Sequence, residues 1–293
     1  MLSFPKMKTK PYSLHSISYS AYRDYKKCPR LFYYRRILKL KMLNQPLPLV
    51  FGKSLHLALE LFVKEKKDPV EVFKKDFTYD KLDYMKREKF AEELAAGIHL
   101  LTFWKKNHKQ LLAESGISIN HTEMPFELQV DHDPVSKKKL DLPPIKGVID
   151  FDINEFPALG DYKTSTKAYT QEMVEESDQP TFYNLWHLLV KGNVSDAFYY
   201  IVFRKKIKKA PVAILKTERT EQQISDLLID LNDVCRKISE GKFDGRHKQG
   251  EFCDCEVYEK MLSTRYVNKK DRESSRRVFP RKMVHNHSSR RSS

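Results

Sequence analysis

The run Ile145-Lys146-Gly147-Val148-Ile149-Asp150-Phe151-Asp152-Ile153 alternates with the period of a β-strand. Val148, Asp150 and Asp152 therefore fall on one face, and Ile149, Phe151 and Ile153 on the other. The second face is apolar and is expected to be buried. A short reversal carrying Asn154, Pro157 and Gly160 follows, and Asp161-Tyr162-Lys163-Thr164 then resumes an extended run. Asp161 and Lys163 lie on one side of it and Tyr162 on the other. The expected product is a β-hairpin that presents Asp150, Asp161 and Lys163 to one cavity.

Two carboxylates and an ammonium at this spacing suit Mg²⁺ chemistry. A hard divalent cation takes oxygen ligands, keeps several waters, and needs one or two carboxylates plus a substrate phosphate. Asp150 and Asp161 would supply the carboxylates. Lys163, two residues beyond a ligand on the same face, would orient an attacking water or offset charge building on phosphoryl oxygens. Taken alone, Asp-x-Lys is better read as a solvent-facing tripeptide, because short motifs recur by chance. Further blocks bear on the choice: Ser18-Tyr19-Ser20, Cys28-Pro29 followed by Leu31-Phe32-Tyr33-Tyr34, Gly52-Lys53-Ser54-Leu55-His56, and Gln179 to Tyr183.

In this order, and with Gly147-Val148-Ile149-Asp150 and Asp161-Tyr162-Lys163-Thr164 between them, the blocks resemble the RecB-like branch of the PD-(D/E)XK nuclease superfamily, over residues 17–255. The resemblance implies an α/β, restriction-endonuclease-like core: a mixed central sheet flanked by helices, with an added helical N-terminal portion. It implies hydrolysis of DNA phosphodiester bonds with Mg²⁺ or Mn²⁺. Asp150, Asp161 and His56 would bind the metal with the Tyr162 carbonyl, Lys163 would serve the water or the transition state, and Gln179 and Tyr183 would hold substrate. An exonuclease of DNA end-processing, in repair, recombination or replication, is the family expectation, and CRISPR spacer-acquisition nucleases are close relatives. A different class, a nucleic-acid-binding subunit that keeps the fold and cuts little, has no need of two carboxylates where it meets phosphate.

Bulk properties agree. A chain of 293 residues with 40% hydrophobic content can bury a full core. We read a flexible N-terminus (1–16), a nuclease domain (17–261), and a basic tail (262–293) too poor in apolar residues to fold by itself. The net charge of +15 points to a polyanionic partner, since basic surfaces gain affinity by displacing counterions from nucleic acid. With no run of eighteen apolar residues and no signal-peptide core, an intracellular, cytoplasmic protein is expected, not a membrane one. Residues 1–10 leave a mitochondrial presequence open, though they are poor in arginine. No Gly-x-x-x-x-Gly-Lys-Ser/Thr loop is present, so unwinding would come from a helicase or recombination partner.

Ser18 or Ser20 can cap a first helix, and Pro29 can open a second. Arg30, Arg35, Arg36 and Lys39, interleaved with Phe32, Tyr33 and Tyr34, have two readings. Either they grip a phosphate backbone and stack on bases, Arg30 and Tyr33 foremost, or they are the solvated and core faces of a packed helix. Phe51–Glu65 reads as a helix with His56 beside an apolar stripe, where a histidine is ordinarily structural. Lys81–Glu114 reads as a scaffold helix. Glu123 opens a strand; it could reach the metal, but a strand-edge carboxylate is the more ordinary reading. Lys163–Lys167 lead towards a helix, and Pro180 is placed as the first residue of the next one, with Gln179 at its boundary. Gln179 and Tyr183 share a face and either hold substrate or belong to a core with Trp186 and Leu189. Residues 197–203 and 212–215 read as further strands. Thr220 with Gln223 reads as a capping box opening a helix that carries Ile224, Leu227, Leu228, Leu231 and Cys235 on one stripe.

Four cysteines, Cys28, Cys235, Cys253 and Cys255, suit a reducing compartment in a chain of this length. Several RecB-like nucleases bind an iron-sulfur cluster through one cysteine after the first helix and three near the C-terminus. Cys28, Cys253 and Cys255 echo that arrangement incompletely, with Cys235 assigned to a helix core. A four-ligand set would require His247 or an outside ligand, and the expectation is that no cluster forms.

Overall fold

The computed structural model describes residues 12–40, 46–82, 86–167, 169–245, 247 and 253–263. The proposed tail lies outside them except for its first two residues, which close the last helix. Strand β1 (Ile17–Ser18) runs directly into α1 (Tyr19–Lys27), whose N-terminus is capped by the Ser18 hydroxyl accepting from the Ala21 N–H. Extended Cys28 breaks the helix, and Pro29 opens α2 (Pro29–Phe32), which continues as a π turn over Tyr33–Ile37. Helices α3 (Leu47–Glu65), α4 (Pro69–Asp76) and α5 (Arg87–Glu114) follow. The scaffold helix thus begins later than its sequence pattern, after a 3₁₀ turn at Tyr79–Lys81.

Six strands form one mixed sheet: β1, β2 (Ile119–Leu128), β3 (Ile145–Ile153), β4 (Ala158–Ser165), β5 (Ala197–Arg204) and β6 (Val212–Thr217). β4 pairs in parallel with β5, and β5 antiparallel with β6. Along β5 the alternation is clean. Phe198, Tyr200 and Val202 face one core while Ala197, Ile201 and Phe203 face the other, as expected of a strand covered on both sides. The first core is closed by α1, α7 (Asp178–Lys191) and α8 (Glu221–Ser239), the second by α3, α4 and α5. Cys235 lies in the first, on α8, where burial pushes its thiol up to about 12. The capping box at Thr220 and Gln223 forms as expected.

What shapes the functional region is a sharing of edges around β3. β2 occupies one edge along the length of β3, so β1 and β4 divide the other. β1 pairs in parallel at Ile145 and Lys146, and β4 antiparallel only at Phe151, Asp152 and Ile153. Gly147 to Asp150 face the fork between them.

Four sequence expectations change here. Gly160 is not in the reversal, which is made by Asn154, Glu155 and Phe156 at positive φ. It lies inside β4 opposite Phe151, where an added Cβ would stand 1.9 Å from the ring. Asp152, on the face opposite the one expected to be buried, is itself fully buried and accepts from the His121 backbone N–H at 2.6 Å. Lys163 lies on β4 as expected, but the strand runs on to Ser165 and the helix expected after Lys167 is the short, later α6 (Gln171–Glu175). Helix α7 starts before Pro180, with Ser177 as its cap, so that Gln179 sits in the first turn.

Candidate active site

The fork opens into a cleft of about 840 Å³, lined by Ser18, Tyr19, Ser20 and Arg23 from the start of the chain, Phe126 from β2, Lys146, Val148 and Asp150 from β3, Asp161 and Lys163 from β4, and Gln179 and Tyr183 from α7. Beyond Gly160 the ladder between β3 and β4 is not continued by backbone. The Tyr162 N–H instead donates to Asp150 Oδ2 at 2.9 Å, so the carboxylate is held at the crotch of the diverging strands.

Two groups of side chains meet there. In one, donor atoms of His56, Glu123 and Asp150 lie within 4.8 Å of one another. His56 Nε2 is 2.8 Å from the Tyr162 carbonyl and Nδ1 is 3.2 Å from Asp150 Oδ2. A carbonyl only accepts, so Nε2 carries the ring proton. In the other group, the Gln179 amide donates to Asp161 Oδ1 at 2.6 Å while its carbonyl accepts from Lys163 Nζ at 2.7 Å. Lys163 Nζ also stands 2.5 Å from Asp161 Oδ2 as an ion pair, without hydrogen-bond geometry. Both atoms of the Gln179 side chain are used, which explains a buried amide in the first turn of α7. Tyr183 is a core residue whose ring stacks on Phe198, and its hydroxyl, on the cleft wall, meets Gln179 Nε2 at 3.4 Å. Leu189 does not share that core, being 39% exposed.

Burial, then the nearby Asp161, pushes the Asp150 carboxyl well above the usual carboxylate range. Burial likewise raises Glu123 and lowers His56. Burial alone would lower Lys163, but Asp161 and Asp150 outweigh it and leave its ammonium raised.

Sequence reading favoured Glu123 as a strand-edge carboxylate over one that reaches the metal. It reaches the site because β2 shifts register between Ile119 and Thr122 and Glu123 itself has φ of +52°, a left-handed conformation uncommon outside glycine. No local pattern signals that shift. Arg30 and Tyr33 move the other way. Neither lines the cleft: Arg30 pairs with Glu259 at 2.7 Å, and Tyr33 packs on Phe243 and Tyr34. Arg35 and Arg36 are engaged by Asp24, and Arg35 by Asp254. The packed-helix reading is the one the structure takes.

A divalent cation fits these residues on two observations. Asp161 Oδ2 is buried without a hydrogen bond, and the donor set is carboxylate oxygen, carbonyl oxygen and imidazole nitrogen, suited to a divalent cation.

The class defined by fold and site is that of a nuclease built on a forked mixed sheet. The chain belongs to the PD-(D/E)XK nuclease superfamily, whose family model matches residues 16–258. Among solved structures, a protein of Eubacterium rectale described as a candidate exonuclease is similar in fold, with 12% identity, a TM-score of 0.52, and coverage of 83% of this chain and 88% of that one. A second, SSO0001, is 11% identical with a TM-score of 0.30 over 75% of this chain and 76% of that one, too distant to carry an argument. No curated protein sequence matches.

Proposed function

We propose that this protein is a Mg²⁺- or Mn²⁺-dependent deoxyribonuclease of the RecB-like kind, acting on DNA ends in repair, recombination or replication. The observation that carries the reading is the convergence of Asp150, Asp161, Lys163 and Gln179 at the mouth of one cleft. His56, Glu123, Asp150, Asp161 and the Tyr162 carbonyl would hold the ion. When bound, it supplies Lewis-acid stabilisation of the phosphoryl oxygens and lowers the pKa of a water.

The protein's own residues do the rest. Gln179 fixes both Asp161 and Lys163, so the ammonium is preorganised where negative charge builds on the phosphorus oxygens. Arg23 and Tyr183 line the cleft; Arg23 would meet the DNA backbone and Tyr183 would steer the scissile phosphate past Gln179. The end-acting mode is in keeping with the description attached to the E. rectale protein. A helicase or recombination partner would supply unwound ends.

The test is cleavage of end-labelled linear DNA and of a covalently closed circle, with and without Mg²⁺ or Mn²⁺. Metal-dependent release of nucleotides from the linear substrate alone is expected. Cutting of the circle would remove the end-dependence, and binding without any cleavage would favour a DNA-binding subunit that keeps the nuclease fold.

A further inference from the structure

Away from the fork, a third small core joins the two ends of the described chain: Cys28, Leu31 and Tyr34 pack against Cys253, Cys255, Val257 and Tyr258. The last of these residues belong to α9 (Cys255–Ser263). At the centre of this core, the sulfurs of Cys28, Cys253 and Cys255 and a ring nitrogen of His247 all lie within 4.8 Å of one another. The three thiols are fully buried and the His247 side chain is 7% exposed. Thiols alone pack as small hydrophobes, but a buried imidazole among them requires polar partners. His247 Nδ1 faces Cys255 Sγ at 3.4 Å, while Nε2 stands 3.2 Å from the Glu256 carboxylate. A carboxylate on the far nitrogen holds the ring proton there and turns the Nδ1 lone pair towards the sulfurs, the arrangement that orients metal-bound histidines.

We infer that Cys28, His247, Cys253 and Cys255 form a closed Cys₃His site for a single structural Zn²⁺ ion. Four protein ligands of this composition leave no open position, which is the mark of a structural site. The spacing bears on nuclearity. Around one tetrahedral ion with Zn–S bonds of about 2.3 Å, ligand atoms stand about 3.8 Å apart. The thiolates of a four-iron cluster each bind a separate corner and are held farther apart by the cluster's width. The ion would clamp the segment after α8 to the junction of α1 and α2. The other end of α1 supplies Ser20 and Arg23 to the cleft, so the clamp would hold one wall of the cleft in place. The inference does not rest on the proposed nuclease activity.

The test is elemental analysis of the purified full chain, together with Co²⁺ substitution. Zinc at one equivalent per chain with no iron is expected, and Co²⁺ should give the visible bands of a tetrahedral ion with sulfur-to-cobalt charge transfer in the near ultraviolet. Cys253→Ser should lose the zinc, Cys235→Ser should keep it, and His247→Cys should keep it with a charge-transfer band strengthened by the added thiolate. The cobalt spectrum of the wild-type chain decides the matter even where a variant is insoluble. A wild-type chain that binds no zinc and gives no thiolate-cobalt band, that contains iron instead, or whose Cys253→Ser variant keeps its zinc would overturn the inference.

Discussion

Asp150 is held in a place that opposes its ionisation. With Nε2 of His56 donating to the Tyr162 carbonyl, a neutral ring leaves Nδ1 bare, and the proton between it and Asp150 Oδ2 then belongs to the carboxyl. Burial favours both neutral forms, raising Asp150 and lowering His56. The consequence for stability has a definite sign. A carboxyl raised in the fold above its ordinary 3.8 stabilises the metal-free protein below that pH, and this contribution is lost as pH rises through the folded value. Metal-free Asp150→Asn is therefore expected to melt above wild type at pH 8 and to lose much of that advantage near pH 4, read by thermal denaturation without added divalent ions; a variant less stable than wild type at pH 8 would contradict this. Divalent-ion affinity should rise with pH over the same window, because binding must displace the proton. For the chemistry, Asp161→Ala and Lys163→Ala should each lower kcat on the order of 10²-fold or more while gel-shift affinity for DNA holds. Full cleavage by either would exclude these residues from the site. Glu123→Gln and His56→Ala should raise the Mg²⁺ concentration for half-maximal cleavage on the order of 10-fold or more, and an unchanged titration would return Glu123 to the role of a strand-edge carboxylate.

At the level of elements, the short ladder between β3 and β4 matters most, and its tightest contact is Gly160 under Phe151. The ring occupies the space a side chain at 160 would take, so Gly160→Ala must displace it from the junction that sets the angle of the fork. A loss of about 1–3 kcal/mol is expected. Combining it with Phe151→Leu should recover part of that loss in a double-mutant cycle by urea denaturation, and strict additivity would show that the two do not share the space. The same junction explains why reading Gly160 as a turn residue failed. Glycine is common in reversals for its freedom at positive φ, but here it is needed for its missing Cβ, and the ring that requires it lies on the neighbouring strand.

Over the whole molecule, charge is unevenly divided. The proposed tail carries ten Lys and Arg against two Asp and Glu, more than half of the net +15. On the described fold many cations are already paired, Arg30, Arg35 and Arg36 among them. Removing 264–293, past the end of α9, should therefore weaken DNA binding and flatten its dependence on salt, with cleavage at saturating DNA retained. An unchanged salt slope would show that the tail makes no contact with DNA. Among the described residues no helix is long and apolar enough to cross a membrane.

Much of this was legible in the chain because it is written in short-range code. The period of two placed β3, a run of strand-forming residues placed β5, serine and proline at helix starts placed α1 and α2, and the spacing within Asp161-Tyr162-Lys163 put a carboxylate and an ammonium on one face of one strand. What depended on register between distant segments was not legible. Glu123 enters the site only through a bulge and a left-handed residue on β2, and Arg30 leaves it because Glu259, more than two hundred residues away, neutralises it. His247 could be named from sequence as the missing fourth ligand, but that it lies among the three cysteines is decided only when the segment after α8 returns to the end of α1. Neighbours in sequence set which way a side chain points on its own element. Only the packing of elements, which closes long loops against chain entropy, decides what it points at.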